Sequence, residues 1–336
     1  MSSSISSFEP APQWGRWLTA FFGALALGAA LVFAFVIAVD PYDSGRFGFV
    51  GIEGISDLNP RTANASRARD PQFDSAIIGD STAQLLKPSE LSALTGARFV
   101  QLTVPGSGPR EQLAILDFFA RHHARIGAVV IGVDGAWCTR DAALPLQHAF
   151  PFWLYGESKL GYAARLFSSR SLGRATRRVL IGLDLRERSR ADGYWDYEAT
   201  GSRDFQPATT PHLELVSPFT GMVSDVFPAV VHLKDAIGKL PADVPVVLFA
   251  PPLFYTHIAR AGGAAAADDD ACKKALKSAV EGRVRGAFID YRVDNALTRD
   301  PANFMDYVHT SARAARQMER EIAARVGPAD KTSNKF

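Results

Sequence analysis

The segment most indicative of chemistry is IIGDSTAQL at residues 77–85, in which an apolar run ends in Gly79-Asp80-Ser81. We expect Ser81 at the carboxyl end of a strand, the edge where open α/β sheets bind ligands. The helix predicted to follow would present free N–H groups that stabilise negative charge. A serine nucleophile needs such groups because its attack on an ester carbonyl creates an oxyanion. Taken alone, however, the triplet is better explained as a helix N-cap.

A second candidate segment, Asp306-Tyr307-Val308-His309, lies just before the last predicted helix. A serine nucleophile needs a general base, and neutral imidazole suits that task near pH 7. The base needs a carboxylate that fixes its tautomer and stabilises its cation, and Asp306 is close enough in sequence to serve. The alternative is an ordinary surface loop, because the chain has seven histidines and some lie near an Asp by chance.

Together, these two segments resemble the motifs of the SGNH (GDSL-type) hydrolase superfamily. Its members carry the nucleophile in a GDS motif after the first strand and an Asp/His pair in a late DxxH motif. The same motifs occur here in the same order, and the resemblance covers about residues 73–326 apart from an insertion. It implies that Ser81 is the nucleophile, His309 the general base and Asp306 its orienting carboxylate. No metal or organic cofactor is implied.

The family also has an oxyanion-hole glycine after the second strand. In the matching segment QLTVPGSGPREQL, Gly106 is the best candidate and Gly108 the second choice. A glycine lets the backbone N–H approach the reacting oxygen closely. The alternative interpretation of this segment is a simple Pro-Gly turn.

The block after the third strand departs from the family pattern. The usual GxND motif supplies an asparagine to the oxyanion hole, whereas this chain reads Gly132-Val133-Asp134-Gly135. An ionised carboxylate donates no hydrogen bond and repels an oxyanion, and losing one donor can cost about 3–4 kcal/mol. Three explanations remain open. The Asp134 side chain points away from the oxyanion hole, the oxyanion hole uses only the N–H groups of Ser81 and Gly106, or the protein turns over its substrate slowly. In this departure from the usual motif, the chain also resembles membrane-anchored members of the superfamily that act on envelope polysaccharides.

The elements needed to position these residues alternate along the chain. Apolar runs predict strands at 73–78, 98–104, 128–133, 244–250 and 287–291. Helices are expected at 82–94 (interrupted by Pro88), 110–125, 222–240, 269–284 and 312–326. Repeated strand–helix–strand units predict a three-layer α/β/α fold with a mostly parallel five-stranded sheet. The resemblance implies the flavodoxin-like arrangement of SGNH proteins.

A stretch at 137–221 is too long for a simple crossover and is interpreted as an insertion. It contains an aromatic run at 149–155, a basic helical segment around 165–190 and the sequence GYWDY at 193–197. We expect it to cap the active-site edge, with Trp137 lining an acyl or sugar pocket. The alternatives are aromatic packing within the cap for Trp137 and a basic surface facing lipid head groups for the insertion.

Residues 17–39 form an uncharged run of 23 residues, long enough as a helix to cross a hydrocarbon core of about 30 Å. It exceeds the usual apolar length of a signal peptide and lacks the polar face of a core helix. Arg16 before it and acidic residues after it favour a cytoplasmic tail at 1–16. A connector (40–72), an ectodomain (73–327) and a flexible tail (328–336) complete the predicted organisation. We expect a single-pass inner-membrane protein with its ectodomain in the periplasm or outside.

The composition limits the remaining functions. With 336 residues, 47% hydrophobic, 21% charged and a net charge of +2, the chain gives no basis for wholesale disorder or nucleic-acid binding. Two cysteines form no disulfide framework or zinc motif. Cys138 and Cys272 would pair only in an oxidising compartment, and since nothing in the sequence brings them together we expect them unpaired. His122-His123 is expected to be a solvated helical pair rather than a metal site.

The sequence thus predicts a membrane-anchored serine esterase or O-acyltransferase of SGNH type. Its expected substrates are acyl groups, foremost O-acetyl, of an envelope or exported polysaccharide. The alternative is a catalytically degenerate protein of the same fold that binds glycan or scaffolds polysaccharide assembly. A membrane acyltransferase is a further expected partner, since small residues at Gly23, Ala26 and Ala30 would allow close helix packing.

Overall fold

The computed structural model of the protein describes residues 14–47, 49–199, 205, 207 and 226–328. Five strands form one sheet: β1 (Ser75–Ile78), β2 (Phe99–Gln101), β3 (Ala128–Gly132), β4 (Val246–Ala250) and β5 (Gly286–Asp290). The spatial order is β2-β1-β3-β4-β5, and every neighbouring pair is parallel. The predicted α/β class and five-stranded sheet are therefore confirmed, and the sheet is wholly parallel.

Helices cover both faces of this sheet. In the described part they are α1 (Trp14–Val39), α2 (Pro60–Ala68), α3 (Pro88–Thr95), α4 (Pro109–His122), α5 (Phe152–Tyr155), α6 (Lys159–Leu166), α7 (Ser169–Gly182), α8 (Pro228–Gly238), α9 (Ala264–Val280), α10 (Ala296–Arg299) and α11 (Ala312–Val326). Helices α4, α8 and α9 contribute to one hydrophobic core, and α3 and α11 to the other. The three layers expected from the sequence are thus present.

Strand β3 illustrates why its run of apolar residues forms a central strand. Side chains of successive strand residues point to opposite faces. Val129 and Ile131 therefore enter the core with α4, whereas Ala128 and Val130 enter the core with α11. All five residues of β3 are buried, as a parallel strand covered on both faces requires.

The helix predicted at 82–94 is divided in the structure. Ser81–Ala83 forms a 3-10 turn, and α3 begins only at Pro88. Proline has no N–H and clashes with the preceding helical turn, but it fits the first position of a helix. The helix predicted at 222–240 corresponds to α8, and residues 222–225 of that prediction lie outside the described residues.

The N-terminal helix α1 is long and apolar enough to cross a membrane, with a mean hydropathy of 2.6 over its most apolar window. Its surface is largely exposed, but Val36 and Val39 near its end are buried. There the helix packs against α6 and α7 of the insertion. Residues 1–13 of the predicted tail, and residues 329–336 at the other end, lie outside the described part of the chain.

The segment expected to be a plain connector, residues 40–72, contains helix α2. Asn59 caps this helix by accepting the N–H of Arg61 at 3.0 Å, and Pro60 occupies its first turn. Ala63 and Ala65 are fully buried, and the helix packs against α4. The residue types of this segment do not predict the helix, because Pro, Asn and Arg in a short segment are also typical of a loop.

A disulfide joins Cys138 and Cys272, whose Cα atoms are 5.5 Å apart, within the usual range for such a bond. The prediction that the two cysteines stay unpaired is wrong. Helix α9 starts at Ala264, five residues before its predicted start at residue 269, and Cys272 on it meets the turn Gly135–Cys138 after β3. An ion pair from Arg140 to Asp268 at 2.5 Å links the same two elements.

Candidate active site

Ser81 begins the 3-10 turn that follows β1, at the carboxyl edge of the sheet. Asp80 caps this turn, because its carboxylate accepts the Thr82 N–H at 2.9 Å and the Thr82 hydroxyl at 2.6 Å. At Gly79, an added Cβ would lie 2.9 Å from the Ala83 Cβ, so only glycine fits this tight turn. The capping role considered for the triplet thus belongs to Asp80, and the Ser81 hydroxyl is directed elsewhere.

The strand order places Ser81 where open sheets of this topology bind ligands. The chain order reverses between β1 and β3, which are adjacent although β2 lies between them in sequence. Ligands of doubly wound sheets bind in the crevice at such a reversal, outside the carboxyl ends of the strands. Ser81 follows β1 and Asp134 follows β3, so both residues lie at this crevice.

The loop that carries His309 is closed on itself by backbone contacts. Phe304 and Thr310 form an antiparallel bridge, and the Met305 N–H donates to the His309 carbonyl at 2.8 Å. The Phe254 N–H, just beyond β4, donates to the Tyr307 carbonyl at 2.9 Å and ties the loop to the sheet. The position of the imidazole is therefore set by the backbone of this loop.

Ser81, His309 and Asp306 form a continuous chain of hydrogen bonds. His309 Nε2 lies 2.8 Å from Ser81 Oγ, and His309 Nδ1 lies 2.7 Å from an Asp306 oxygen. The other Asp306 oxygen accepts the N–H groups of Val308 at 2.8 Å and His309 at 2.7 Å. Because the carboxylate accepts the Nδ1 proton, Nε2 is free to accept the proton of the serine hydroxyl.

The electrostatics of the pair suit a general base. The hydrogen bond that His309 donates to Asp306 raises the pKa of His309 above its ordinary value, against the opposing effect of burial. Burial acts to raise the pKa of Asp306, but hydrogen bonds from His309 and Val308 outweigh it and hold that pKa below its ordinary value. Asp306 is thus ionised near neutral pH, where it stabilises a protonated imidazole.

The surroundings of Asp134 favour the protonated form of its carboxyl. Burial raises the pKa of its carboxyl well above the ordinary value, and the charge of Asp80 raises the pKa further, while Arg292 partly offsets both effects. The two carboxyl groups hydrogen-bond to each other, and Asp134 also accepts the Ala136 N–H at 3.2 Å. A protonated carboxyl is a donor, so in this state Asp134 can donate a hydrogen bond as the asparagine of a GxND motif does.

Of the two candidate oxyanion glycines, the structure distinguishes Gly106 from Gly108. Gly106 has a left-handed backbone with φ of +63°, and Arg61 holds its turn by donating to the Pro105 carbonyl at 2.9 Å. The Gly108 N–H donates to Glu111 at the start of α4, at 2.9 Å. Among the hydrogen bonds between described residues, none uses the N–H of Ser81 or Gly106, which leaves both as donors for an oxyanion.

Of two aromatic residues near the site, Trp137 departs from its predicted role and Tyr197 contacts the catalytic candidate His309. Trp137 is only 1% exposed, and its indole N–H donates to Gln112 at 3.2 Å, so it packs in the interior rather than on an open surface. Tyr197 of the insertion meets the His309 ring edge-on, with 5.8 Å between ring centroids. The sequence GYWDY identifies this part of the insertion as aromatic, but the contact between Tyr197 and His309 results from tertiary packing.

The adjacent histidines of α4 have structural contacts. His122 and His123 each use Nδ1 to bond a carbonyl of their own helix, those of Phe118 at 2.7 Å and Phe119 at 2.9 Å. The His122 ring also stacks on the Phe118 ring, and the His123 ring stacks on the Phe119 ring. Within the described ranges, no group of three or more His, Cys, Asp or Glu side chains is arranged to hold a metal ion.

No protein-family model matches this chain, and no curated protein matches it in sequence. A functional assignment therefore depends on the geometry around Ser81 and on the chemistry that this geometry permits. The arrangement supplies a hydroxyl, a general base and a fixed carboxylate at one crevice, and the N–H groups of Ser81 and Gly106 follow the carboxyl ends of the adjacent strands β1 and β2. Those are the groups required for acyl transfer through a serine.

Proposed function

We propose that the protein is a membrane-anchored serine esterase or O-acyltransferase of SGNH type. Its substrates are acyl groups, foremost O-acetyl groups, of an envelope or exported polysaccharide. The observation that carries the proposal is the chain from Ser81 through His309 to Asp306, with contacts of 2.8 and 2.7 Å. The GDS and DxxH motifs support the same assignment by their order and spacing.

The first step forms an acyl-serine. Ser81 Oγ attacks the ester carbonyl carbon while its proton moves to His309 Nε2, and Asp306 stabilises the resulting imidazolium. The carbonyl oxygen becomes an oxyanion that accepts hydrogen bonds from the N–H groups of Ser81 and Gly106. When the tetrahedral intermediate collapses, the bond to the sugar oxygen breaks and that oxygen takes the proton from Nε2.

The second step decides between hydrolysis and transfer. Water or a second sugar hydroxyl attacks the acyl-serine and gives its proton to His309, and the released Ser81 oxygen takes that proton back. Attack by water yields a free carboxylic acid, whereas attack by a sugar yields a new ester. Both reactions use the same residues, so the acceptor that reaches the crevice determines the product.

The Asp80–Asp134 pair makes this crevice compatible with an oxyanion. Two ionised carboxylates beside the reacting oxygen would raise the energy of the intermediate. With one proton on Asp134, the pair has a single negative charge, and part of that charge is offset by Arg292. Asp134 thus limits the electrostatic cost to the intermediate, and Ser81 and Gly106 remain the proposed oxyanion donors.

Location in the inner membrane, with the domain in the periplasm or outside, is part of the proposal. It is supported by the apolar length of α1, by Arg16 at the start of that helix and by the Cys138–Cys272 disulfide. Disulfides persist in oxidising compartments, which is where envelope polysaccharides are modified. In such a location, a membrane acyltransferase contacting α1 would act as the acyl donor.

Ser81→Ala tests the proposal directly. We expect the purified full chain to hydrolyse an activated acetyl ester and the variant to lose that activity while keeping its melting temperature. Ser278→Ala on α9 is the matched control, because this serine is exposed and its hydroxyl donates only to the Ala275 carbonyl in its own helix. Equal activity of Ser81→Ala and wild type would refute the proposal.

A second candidate is a glycan-binding or scaffolding protein of the same fold without catalysis. The observation that favours it is Asp134 in the position where catalytic relatives of this type carry asparagine. It requires retention of an acetylated polysaccharide by folded protein together with no turnover of acetyl esters. Acetate release from the same polysaccharide distinguishes the two, since only the enzyme produces it.

A further inference from the structure

Helices α6 and α7 and the turn between them, residues 159–182, form a strongly basic element that we call the basic hairpin. Its sequence contains no acidic residue and six basic ones: Lys159, Arg165, Arg170, Arg174, Arg177 and Arg178. Arg174 and Arg178 make ion pairs with Asp57 and Asp43. Arg165, Arg170 and Arg177 are exposed, so the hairpin presents positive charge at its surface.

The basic hairpin is fixed to the end of α1 by a buried polar cluster. Arg178 is 3% exposed and donates to the Val39 carbonyl at 2.5 Å and to the Asp40 carbonyl. The same guanidinium pairs with Asp43 at 3.0 Å, and the Tyr162 hydroxyl donates to Asp40. Because a buried charge pair is costly to break, the hairpin keeps one position relative to α1.

The turn between the two helices lies alongside the apolar part of α1. Phe167 in this turn contacts Phe33 edge-on, with 5.8 Å between ring centroids. Phe33 precedes Val39 by six residues, which is about 9 Å along a helix. The turn therefore lies beside the apolar part of α1, about 9 Å before the end of that helix and toward the region that a bilayer would occupy.

The side chains of this turn are those of an interfacial element. Phe167 is 65% exposed and Leu172 is 36% exposed, whereas Leu166 at the end of α6 is fully buried. Arg165 and Arg170 flank the exposed phenylalanine and have stems long enough to reach lipid phosphates. Interfacial helices bury their apolar groups about 5–10 Å into the head-group boundary, which matches the offset of Phe167 along α1.

We propose that the turn of the basic hairpin inserts into the head-group region of an anionic phospholipid bilayer beside α1. Phe167 supplies the apolar contact, and Arg165 and Arg170 bind lipid phosphates. Each positive charge near an anionic surface strengthens such binding about fivefold. With α1 as the first attachment to the membrane, this hairpin contact is a second one, and it prevents the domain from rotating about α1. The inference rests on the proposed anchoring by α1 and is independent of the esterase activity.

Nitroxide labels on the full chain in phospholipid bilayers test this contact. Single cysteines replace Phe167, Leu185 as the matched control and Leu25 as a marker of the anchor. Leu185 is 71% exposed, close to the 65% of Phe167, but lies beyond the other end of α7. In bilayers containing phosphatidylglycerol, we expect the label at 167 to collide several-fold more often with oxygen than with a water-soluble nickel complex. The label at 185 should show the opposite preference.

The outcomes separate the hairpin contact from the anchoring itself. A label at 25 inside the bilayer with a water-exposed label at 167 would overturn the hairpin contact alone. A water-exposed label at 25 would overturn the anchoring and this inference with it. An unchanged depth at 167 when phosphatidylglycerol is replaced by phosphatidylcholine, or after Arg165→Gln and Arg170→Gln, would overturn the role of the arginines.

Discussion

The carboxyl groups of Asp80 and Asp134 hydrogen-bond to each other just beyond the ends of β1 and β3, and burial together with the charge of Asp80 raises the pKa of Asp134 well above its ordinary value. This contact lies next to Ser81, at the crevice where the chain order of the sheet reverses. Its existence changes what a substitution at Asp134 should do. Aspartate in place of the asparagine of a GxND motif need not place two full negative charges in the crevice, because the raised pKa of Asp134 favours its protonated form.

Asp134→Asn should stabilise the protein near neutral pH. Because folding raises the pKa of Asp134, the folded state binds this proton more tightly than the unfolded state, so wild-type stability falls as pH rises from the ordinary pKa toward the raised pKa. Asparagine keeps a donor toward Asp80 without this dependence. We expect the variant to melt about 2–4 °C higher at pH 8 and similarly to wild type near pH 4. A difference that does not depend on pH would contradict the raised pKa of Asp134.

Activity should rise with pH as His309 loses its proton. Since Asp306 raises the pKa of His309, the midpoint of this rise should lie above about 6.5, the ordinary value for histidine. In Asp306→Asn the rise should move to lower pH, and kcat should fall about 10,000-fold because the imidazole tautomer is no longer fixed. Rate–pH profiles check both effects. Asp294→Asn is the control, and an unchanged profile in Asp306→Asn would exclude the carboxylate from this role.

Gly106→Ala should slow turnover. A Cβ at this position would lie 3.1 Å from the His148 ring, and φ of +63° is strained for alanine, so the backbone donor would shift. We expect kcat to fall about 100- to 1,000-fold with little change in KM. Gly108→Ala is the matched control, because its backbone is extended and its N–H caps α4. Equal kcat values for the two variants would remove Gly106 from the oxyanion hole.

Loss of the Cys138–Cys272 disulfide should weaken the fold. The bond closes a loop of 134 residues and joins the turn after β3 to α9. Double replacement by serine should lower the free energy of unfolding by about 2–5 kcal/mol, as measured by denaturant titration. Thiol titration of the unreduced protein under denaturing conditions should detect no free cysteine, and two reactive thiols would contradict the bond.

Much of the fold was predictable because its determinants are local. The apolar runs of β1, β3 and β4 identify buried strands by themselves, and α11 occupies the predicted range 312–326. The approach of Ser81 to His309 was expected from two short motifs, although 228 residues separate them. A strand end and a closed loop position these side chains, and both leave recognisable sequence patterns.

Other features depend on contacts that single segments do not encode. The disulfide requires α9 to cross the turn after β3, and the raised pKa of Asp134 results from its burial and from Asp80 as its neighbour. The buried ion pair of Asp43 and Arg178 joins the segment 40–72 to the insertion, although 135 positions separate the two residues. Each residue alone resembles an ordinary surface group, so only tertiary packing distinguishes these contacts from solvated side chains.

The central claim is that Ser81 is a nucleophile activated by His309. A fluorophosphonate reacts covalently with activated serines, and peptide mapping by mass spectrometry locates the adduct. We expect one adduct per chain, on Ser81, and its loss in His309→Ala with the fold retained. A folded protein in which Ser81 remains unmodified, or is modified equally well without His309, would contradict the account.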